Sequence, residues 1–593
     1  MNYEKVVIQV VVIMLWLVCS VLLIAFFPVE WGRTLVYMLA EGFGYDAVRV
    51  DQTVELDPII KQFPYVLSLG SLVVSTIIFH YRYVCAGTRR FGRDARAAWD
   101  FALRCGRAHV ANNRAVMIGL GVVTLIGLSL RLIYLNEPIR GDEAYTFTQY
   151  ARRPLFLGLT QYYIPNNHLL NTILVHFSYL TFGNQPWVLR LPVLIAGTLA
   201  VPMAYVVFSR LYKPVVGLLT AAFISSSAPL IEYSVNARGY MLMLSIFLSM
   251  LALATFLRGS YNRFGWGLFI VLGVLGFCAL PIMVYPCGII GGWLLLNTHY
   301  SETKHQIKFV IAIAVSMSLI STLTAIIYWP VLVVSGYQEV LGNYYTISHS
   351  QFFGGLFSYV KTLLNIWFDG WPQVIGWGVL MCAISRPLVA SVGGKPNESI
   401  LLVTVACVTV LLLARPVLGY PRLWLFILPI LLGEAAAGFV GLVDYVTRRQ
   451  FKYATQLMAT LALILALMLG GQTVASETVR YSSQTGTLLG GEKVAKWLLR
   501  YANKSDVVTS SNYSSASLRY YLDQNGALLT LTWSVSDMLQ SERIFIVVNT
   551  LYRENPSSLV ESRVLKDSAF DEPRLLERWR ETDLYVMLRT DAS

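Results

Sequence analysis

Charge is scarce in this chain: Asp, Glu, Lys and Arg make up 13% of its 593 residues, where soluble proteins carry about a quarter. That shortage excludes a string of ordinary soluble domains. Cysteine is sparse as well, with seven residues, none beyond Cys407 and no CxxC pair. A disulfide framework and a thiolate metal site therefore have little to build on, and these cysteines read as small apolar side chains in or beside membrane helices. No internal repeat or low-complexity tract is present. No basic stripe interleaves with aromatics on a soluble domain, which excludes a nucleic-acid partner.

What the chain has instead is apolar side chains, 56% of the total, gathered in long runs with a mean hydropathy of +0.57. Runs of close to 20 apolar residues predict a mostly α, polytopic membrane protein of about thirteen spans. Two come first, near 6–27 and 64–80. The run at 6–27 is too long for a signal-peptide core and no small-residue cleavage site follows it, so it reads as an uncleaved anchor. Eleven more fall near 116–135, 188–209, 215–231, 239–257, 265–280, 282–297, 308–334, 374–386, 399–414, 423–444 and 453–472.

The Lys and Arg residues orient these spans. Arg82, Arg89, Arg90, Arg93, Arg96, Arg104, Arg107 and Arg114 crowd the connection before the third span and mark it as cytoplasmic. Alternation then puts Arg210 and Lys213, Arg258 and Arg263, Lys304 and Lys308, and Arg448, Arg449 and Lys452 on the same side. Segments 28–63, 136–187, 232–238, 335–373, 415–422 and everything after about 473 fall outside. The domain reading is 1–115, a two-span extension with a basic loop; 116–472, a transmembrane core; and 473–593, a soluble exoplasmic unit.

In the last unit, β-rich runs at Asp506–Ser510, Ala527–Trp533, Arg543–Asn549 and Asp583–Arg589 alternate with amphipathic stretches such as Glu492–Ala502. This predicts a small α/β domain. It has no GxGxxG, P-loop or GxSxG, so binding or positioning suits it better than chemistry.

Ionisable residues at a membrane face are costly to keep and therefore informative. Three clusters lie on the outer face. The first is Arg140-Gly141-Asp142-Glu143-Ala144-Tyr145, followed by a tyrosine-rich stretch, the Pro165-Asn166-Asn167-His168 turn and an amphipathic segment 169–182, which together predict juxtamembrane helices around a cavity. The second is Glu232 to Tyr240, with Asn236 and Arg238. The third runs from Arg415 to Arg422, with Tyr420. An acid on one element and guanidinium groups on two others are the inventory for taking a proton from one reactant while holding a phosphate on another. Each arginine alone also fits interfacial anchoring.

The pieces RLIYLNEPIRGDEAYT (131–146), NNHLLNTILVHFSYLTFGNQPWVLRLPVLIAG (166–197), IEYSVNARGYML (231–242) and YPRLWLFILP (420–429) resemble, in order and membrane side, the GT-C glycosyltransferases. The likeness is to bacterial relatives of protein O-mannosyltransferases and of lipid A aminoarabinose transferases, over roughly 116–472. The resemblance implies inverting transfer of a sugar from a polyprenyl-phosphate donor to a lipid, glycan or protein acceptor hydroxyl, at the non-cytoplasmic face of the inner (plasma) membrane. Asp142 matches the family's general base, with Glu143 in support. Arg238 and Arg422 match donor-phosphate positions, and Lys361 is a further candidate. Tyr145, Asn167, His168, Glu232, Asn236, Tyr240 and Tyr420 are expected near substrate, although His168 also suits an interfacial or capping role.

No cofactor is required on this reading, and a divalent cation is possible, as in some GT-C enzymes. The chain departs from the family in having Asn236 where many relatives carry an acid, and Leu280-Pro281-Ile282 where a Thr-His pair is common. A transporter or flippase of lipid-linked sugars would call for inverted repeats or broken helices at mid-membrane, and a polymerase or ligase for a large Arg- and His-rich outer loop. The sequence displays neither pattern.

Overall fold

A computed structural model describes residues 81–590, apart from 163–165, 259–261, 298–302, 337–347, 393–398, 415, 417–418, 448–453, 527–528, 533 and 561–569. The expected spans 6–27 and 64–80, the segment between them, and Arg415 lie outside the described residues.

The basic stretch expected as a loop is a helix, α1 (Tyr81–Asn112). It contains no proline, and its side chains are mostly exposed from 88 onward. Its apolar edge rests on the bundle through Phe91 against Phe264 and Phe101 against Phe256. Next come α2 (Arg114–Tyr134), the six-residue α3 (Gly141–Thr146), α4 (Leu169–Phe182), α5 (Pro186–Leu211), α6 (Pro214–Ser226), α7 (Ala228–Ser234) and α8 (Gly239–Leu257). The bundle continues with α9 (Arg263–Ala279), α10 (Val284–Asn297), α11 (Thr303–Ser335), α12 (His349–Trp367), α13 (Gln373–Val392), α14 (Ile400–Ala414), α15 (Leu428–Val446) and α16 (Ala454–Ala475).

All eleven runs expected after residue 115 fall on helices. Among the described residues six helices are long and apolar enough to cross a membrane, or seven if the bent pair α6–α7 counts as one span. Helices α4, α9 and α14, and the stretch Pro281–Asn297, are apolar but shorter. Backbones approach closely where glycine permits it, as where Gly433 faces Phe208 and Gly438 faces the Cys382 carbonyl.

The α6–α7 pair is bent by 66° at Ser225-Ser226-Ser227, just before Pro229. Proline cannot donate into the helical ladder, and serine offers local alternatives to it. The freed carbonyls find other partners: Arg131 donates to Ser225 O at 3.3 Å, while Trp371 and Thr473 donate to Ser226 O at 3.3 and 3.0 Å. Arg131 is fully buried near the end of α2, and its role is to hold this break. The bend delivers the segment 232–238 to one end of the bundle.

After α16 the chain forms α17 (Gly491–Tyr501), α18 (Asn512–Gln524) and a five-stranded sheet. Its strands are β1 (Val507–Ser510), β2 (Thr530–Leu531), β3 (Arg543–Asn549), β4 (Arg574–Trp579) and β5 (Thr582–Leu588), in the order β2-β1-β3-β5-β4. β1 pairs parallel with β2 and β3, and β5 pairs antiparallel with β3 and β4. Four strands fall on the expected runs; β4 is additional.

This α/β unit does not hang free. Leu488, Val494, Leu518, Tyr520 and Phe545 share one apolar core with Ile139, Ala144, Phe147, Val175 and Ala237 of the bundle end. The α/β unit is thus packed onto the elements that carry the first two clusters.

Candidate active site

Helix α3 is too short to be stable alone, so its position depends on what its ends meet. Its N-terminal N–H groups are taken by the chain after α16: Gly141 N donates to Gly486 O at 2.7 Å and Asp142 N to Thr485 O at 3.1 Å. A Cβ on Gly141 would lie 2.6 Å from the Tyr513 carbonyl, so only glycine allows this approach. Gly486 has φ +76°, the left-handed region that favours glycine. Ser517 and Tyr521 of α18 bond the backbone of Ile139.

Held this way, Asp142 faces Arg422, with Oδ2 3.2 Å from Nη2. Its side chain is 28% exposed and that of Arg422 9%. Arg422 lies in the short 3-10 turn Pro421–Ile427 leading into α15. It donates to Tyr240 Oη at 3.0 Å and to the Gln484 carbonyl, and its guanidinium lies 4.1 Å from the Tyr420 ring. Arg238, at the head of α8, donates from Nη1 to Asp142 O at 3.3 Å and to Thr146 Oγ1 at 3.1 Å. Its Nη2 lies 3.4 Å from Nε2 of His168. The His168 ring stands edge-on to Tyr240 at 5.3 Å. Burial, and then the positive charges of Arg238 and Arg422, hold the His168 imidazole well below its ordinary pKa, so it is neutral.

Asp142, Arg238, Arg422, Tyr240 and His168 therefore converge, and Tyr420 lies at the exposed rim. Asn236 is fully buried beside them in sequence, with neither amide atom partnered.

Other expected residues are placed differently. Glu143 is occupied on every side: it pairs with Arg190, accepts from Arg190 Nε at 3.1 Å, from Arg140 N at 2.9 Å and from Ala237 N at 2.9 Å. Glu232 is locked to Arg140, which also holds Thr485 and the Val479 carbonyl. Asn167 ties its own loop, donating to Gly158 O and Gln161 O and accepting from Thr172. Tyr145 packs edge-on to Tyr150. Lys361 is exposed on α12 and lines a cavity of about 680 Å³ with Asp369, Trp371 and Trp377, none of which belongs to the cluster.

Sequence reasoning misses Arg190 and Arg140, although an arginine within the apolar run of α5 is itself a signal. Segment 484–487 carried no such signal. Among the described residues no three His, Cys, Asp or Glu side chains are grouped to hold a metal ion.

The bundle, its surface helices and the docked α/β unit together make the GT-C fold. ArnT from Cupriavidus metallidurans in the apo state shares it, with a TM-score of 0.50 and 10% identity, covering 80% of this chain and 98% of that one. The same protein bound to undecaprenyl phosphate gives 0.48 at 12% identity, over 78% and 97%. The Archaeoglobus fulgidus oligosaccharyltransferase in the apo form gives 0.43 at 11%, over 79% and 74%. No protein-family model and no curated protein matches the chain. At such identities the likeness concerns the fold, so residue roles rest on this chain's own geometry.

Proposed function

We propose that the chain is an integral-membrane glycosyltransferase that moves a sugar from a polyprenyl-phosphate donor to an acceptor hydroxyl at the non-cytoplasmic face of the plasma membrane. The GT-C fold agrees with this. The observation that carries it is the convergence of one partly exposed carboxylate, Asp142, with two guanidinium groups from distant elements, Arg422 at 3.2 Å and Arg238 on the backbone of the same residue.

The chemistry follows from that set. The acceptor oxygen attacks the anomeric carbon while Asp142 takes its proton, a step worth roughly 10²–10⁴ in rate. The bond from the anomeric carbon to the phosphate oxygen breaks, and its electron pair leaves with the phosphate. The leaving group is already a good one, so no acid is needed on it. Arg238 and Arg422 meet the charge that develops there, in a site shielded from water. A single displacement from the opposite face inverts the anomeric centre. Residues 116–472 would form the catalytic core, and 473–593 would act by holding α3.

The test uses the full chain in lipid nanodiscs with a synthetic polyprenyl-phosphate sugar and a panel of hydroxyl acceptors. Release of polyprenyl phosphate with sugar on the acceptor is expected, and Asp142→Asn should abolish it while donor binding stays within a few-fold. Movement of the intact donor between leaflets without bond cleavage would overturn the reading in favour of a flippase.

A further inference from the structure

His168 heads α4 and is 2% exposed. Its Nδ1 accepts the backbone N–H of Gly239 at 2.8 Å. A ring nitrogen that accepts carries no proton, so the neutral ring must carry its single proton on Nε2. Yet the neighbour of Nε2 is Nη2 of Arg238 at 3.4 Å, a group that can only donate. Two donors facing each other make no hydrogen bond. Arg238 Nε is also buried without a partner. Buried polar groups are almost always satisfied, so this corner lacks an acceptor, and the guanidinium beside it favours a negatively charged one.

We propose that His168 Nε2–H and the Arg238 guanidinium form a two-donor cradle for a phosphate oxygen. This rests on the glycosyltransferase reading for its ligand, the phosphate of a polyprenyl carrier, and makes His168 a substrate-touching residue rather than a cap. The imidazole acts as a neutral donor throughout and transfers no proton. The shared chemistry is a phosphate monoester or diester oxygen, whether lipid-borne or free.

Two substitutions separate the ring's two nitrogens. His168→Asn keeps an acceptor near Nδ1 for Gly239 and loses the outer donor. His168→Gln keeps a donor near Nε2 and loses the inner acceptor. With the full chain in nanodiscs, His168→Asn should raise the KM for a polyprenyl-phosphate sugar roughly tenfold, the effect of losing a hydrogen bond to a charged group, with kcat changed less. His168→Gln should recover most of the affinity. A merely structural histidine predicts the reverse: His168→Asn at wild-type KM and His168→Gln impaired. That pattern would overturn the cradle.

The wild-type chain gives a reading that no folding defect can obscure. With nitrogen-15 in histidine, the Nε2–H resonance of His168 should shift on adding undecaprenyl phosphate and stay put with uncharged undecaprenol. A shift with inorganic phosphate at similar concentration would show that the cradle reads the phosphate alone. A shift only at far higher phosphate would show that it reads a lipid-borne one. No shift with undecaprenyl phosphate, or an equal shift with undecaprenol, contradicts the proposal. A phosphate-induced shift without sugar release from any donor would count against glycosyl transfer and leave the cradle standing.

Discussion

Asp142 and Glu143 are neighbours on one helical turn, yet they belong to two regions of opposite character. Glu143 is part of a buried belt with Arg190, and beside it Arg140 pairs with Glu232. There carboxylate oxygens and guanidinium hydrogens meet protein partners, including the carbonyls of Leu135, Glu137, Pro138 and Val479. Asp142 belongs to a cluster that is left incomplete, with Arg238 Nε and both Asn236 amide atoms unpartnered. Both regions are charged, and both stand at the same end of the bundle. The difference is saturation: none of the four belt residues has a buried side-chain nitrogen or oxygen left without a partner, whereas the cluster has donors to spare.

Substitutions in the belt should act most strongly. Arg140→Met leaves Glu232 buried without its counter-charge, so stability should fall by roughly 3–5 kcal/mol, as when one partner of a buried pair is removed. Thermal unfolding of the purified variant measures this, and a wild-type midpoint would mean the belt is not scaffolding. Gly141→Ala comes next. Its methyl group meets the Tyr513 carbonyl, a fixed backbone atom, and overpacking of this kind costs about 1–3 kcal/mol. Because the α3–tail contact is what loosens, protease cleavage near 480–490 should rise along with a lower kcat.

On the cluster side, Arg422→Ala should raise the donor KM about tenfold, or ~1.4 kcal/mol, whereas Lys361→Ala should leave it within about twofold. Equal effects would erase the distinction between a residue in the cluster and one in the separate α12 cavity.

The smallest effect is one of pH. Burial, and then the positive charges of Arg238 and Arg422, make the folded protein refuse His168 a proton that the unfolded chain accepts below about 6.5. The contribution is therefore complete above that pH and is lost as pH falls beneath it, by at most ~1.4 kcal/mol per pH unit. Thermal midpoints from pH 7.5 to 5.5 should fall less steeply in His168→Asn than in the wild type; identical slopes would remove the buried neutral ring from the account.

Much of this architecture was legible in the sequence. Apolar run length located the helices, and the strands β1, β3 and β5 announced themselves because Val and Ile cluster in the first two and Leu, Tyr, Val and Met in the third. The strand β4 did not, since Arg574-Leu575-Leu576-Glu577-Arg578-Trp579 is a largely exposed edge strand whose charges guard it against further pairing. Topology correctly suggested that the elements bearing Asp142, Arg238 and Arg422 would share one end. Apart from the family resemblance, nothing in the sequence could separate Asp142 from Glu143. That depends on Arg190, 47 residues away, which lies inside an apolar run and points back across the bundle end. Nor could the sequence foresee that Thr485 and Gly486 would clamp α3, because those contacts are made by backbone carbonyls, which leave no mark on composition.

The most direct measurement sets Asp142→Asn beside Glu143→Gln, two changes of one atom on adjacent residues, in the same nanodisc preparation. Turnover of the polyprenyl-phosphate sugar and the thermal midpoint would be recorded for each. Asp142→Asn should lose turnover with its midpoint intact, and Glu143→Gln should lose midpoint while the surviving folded fraction turns over near the wild-type rate. Full turnover in Asp142→Asn, or a stable but inactive Glu143→Gln, would contradict this.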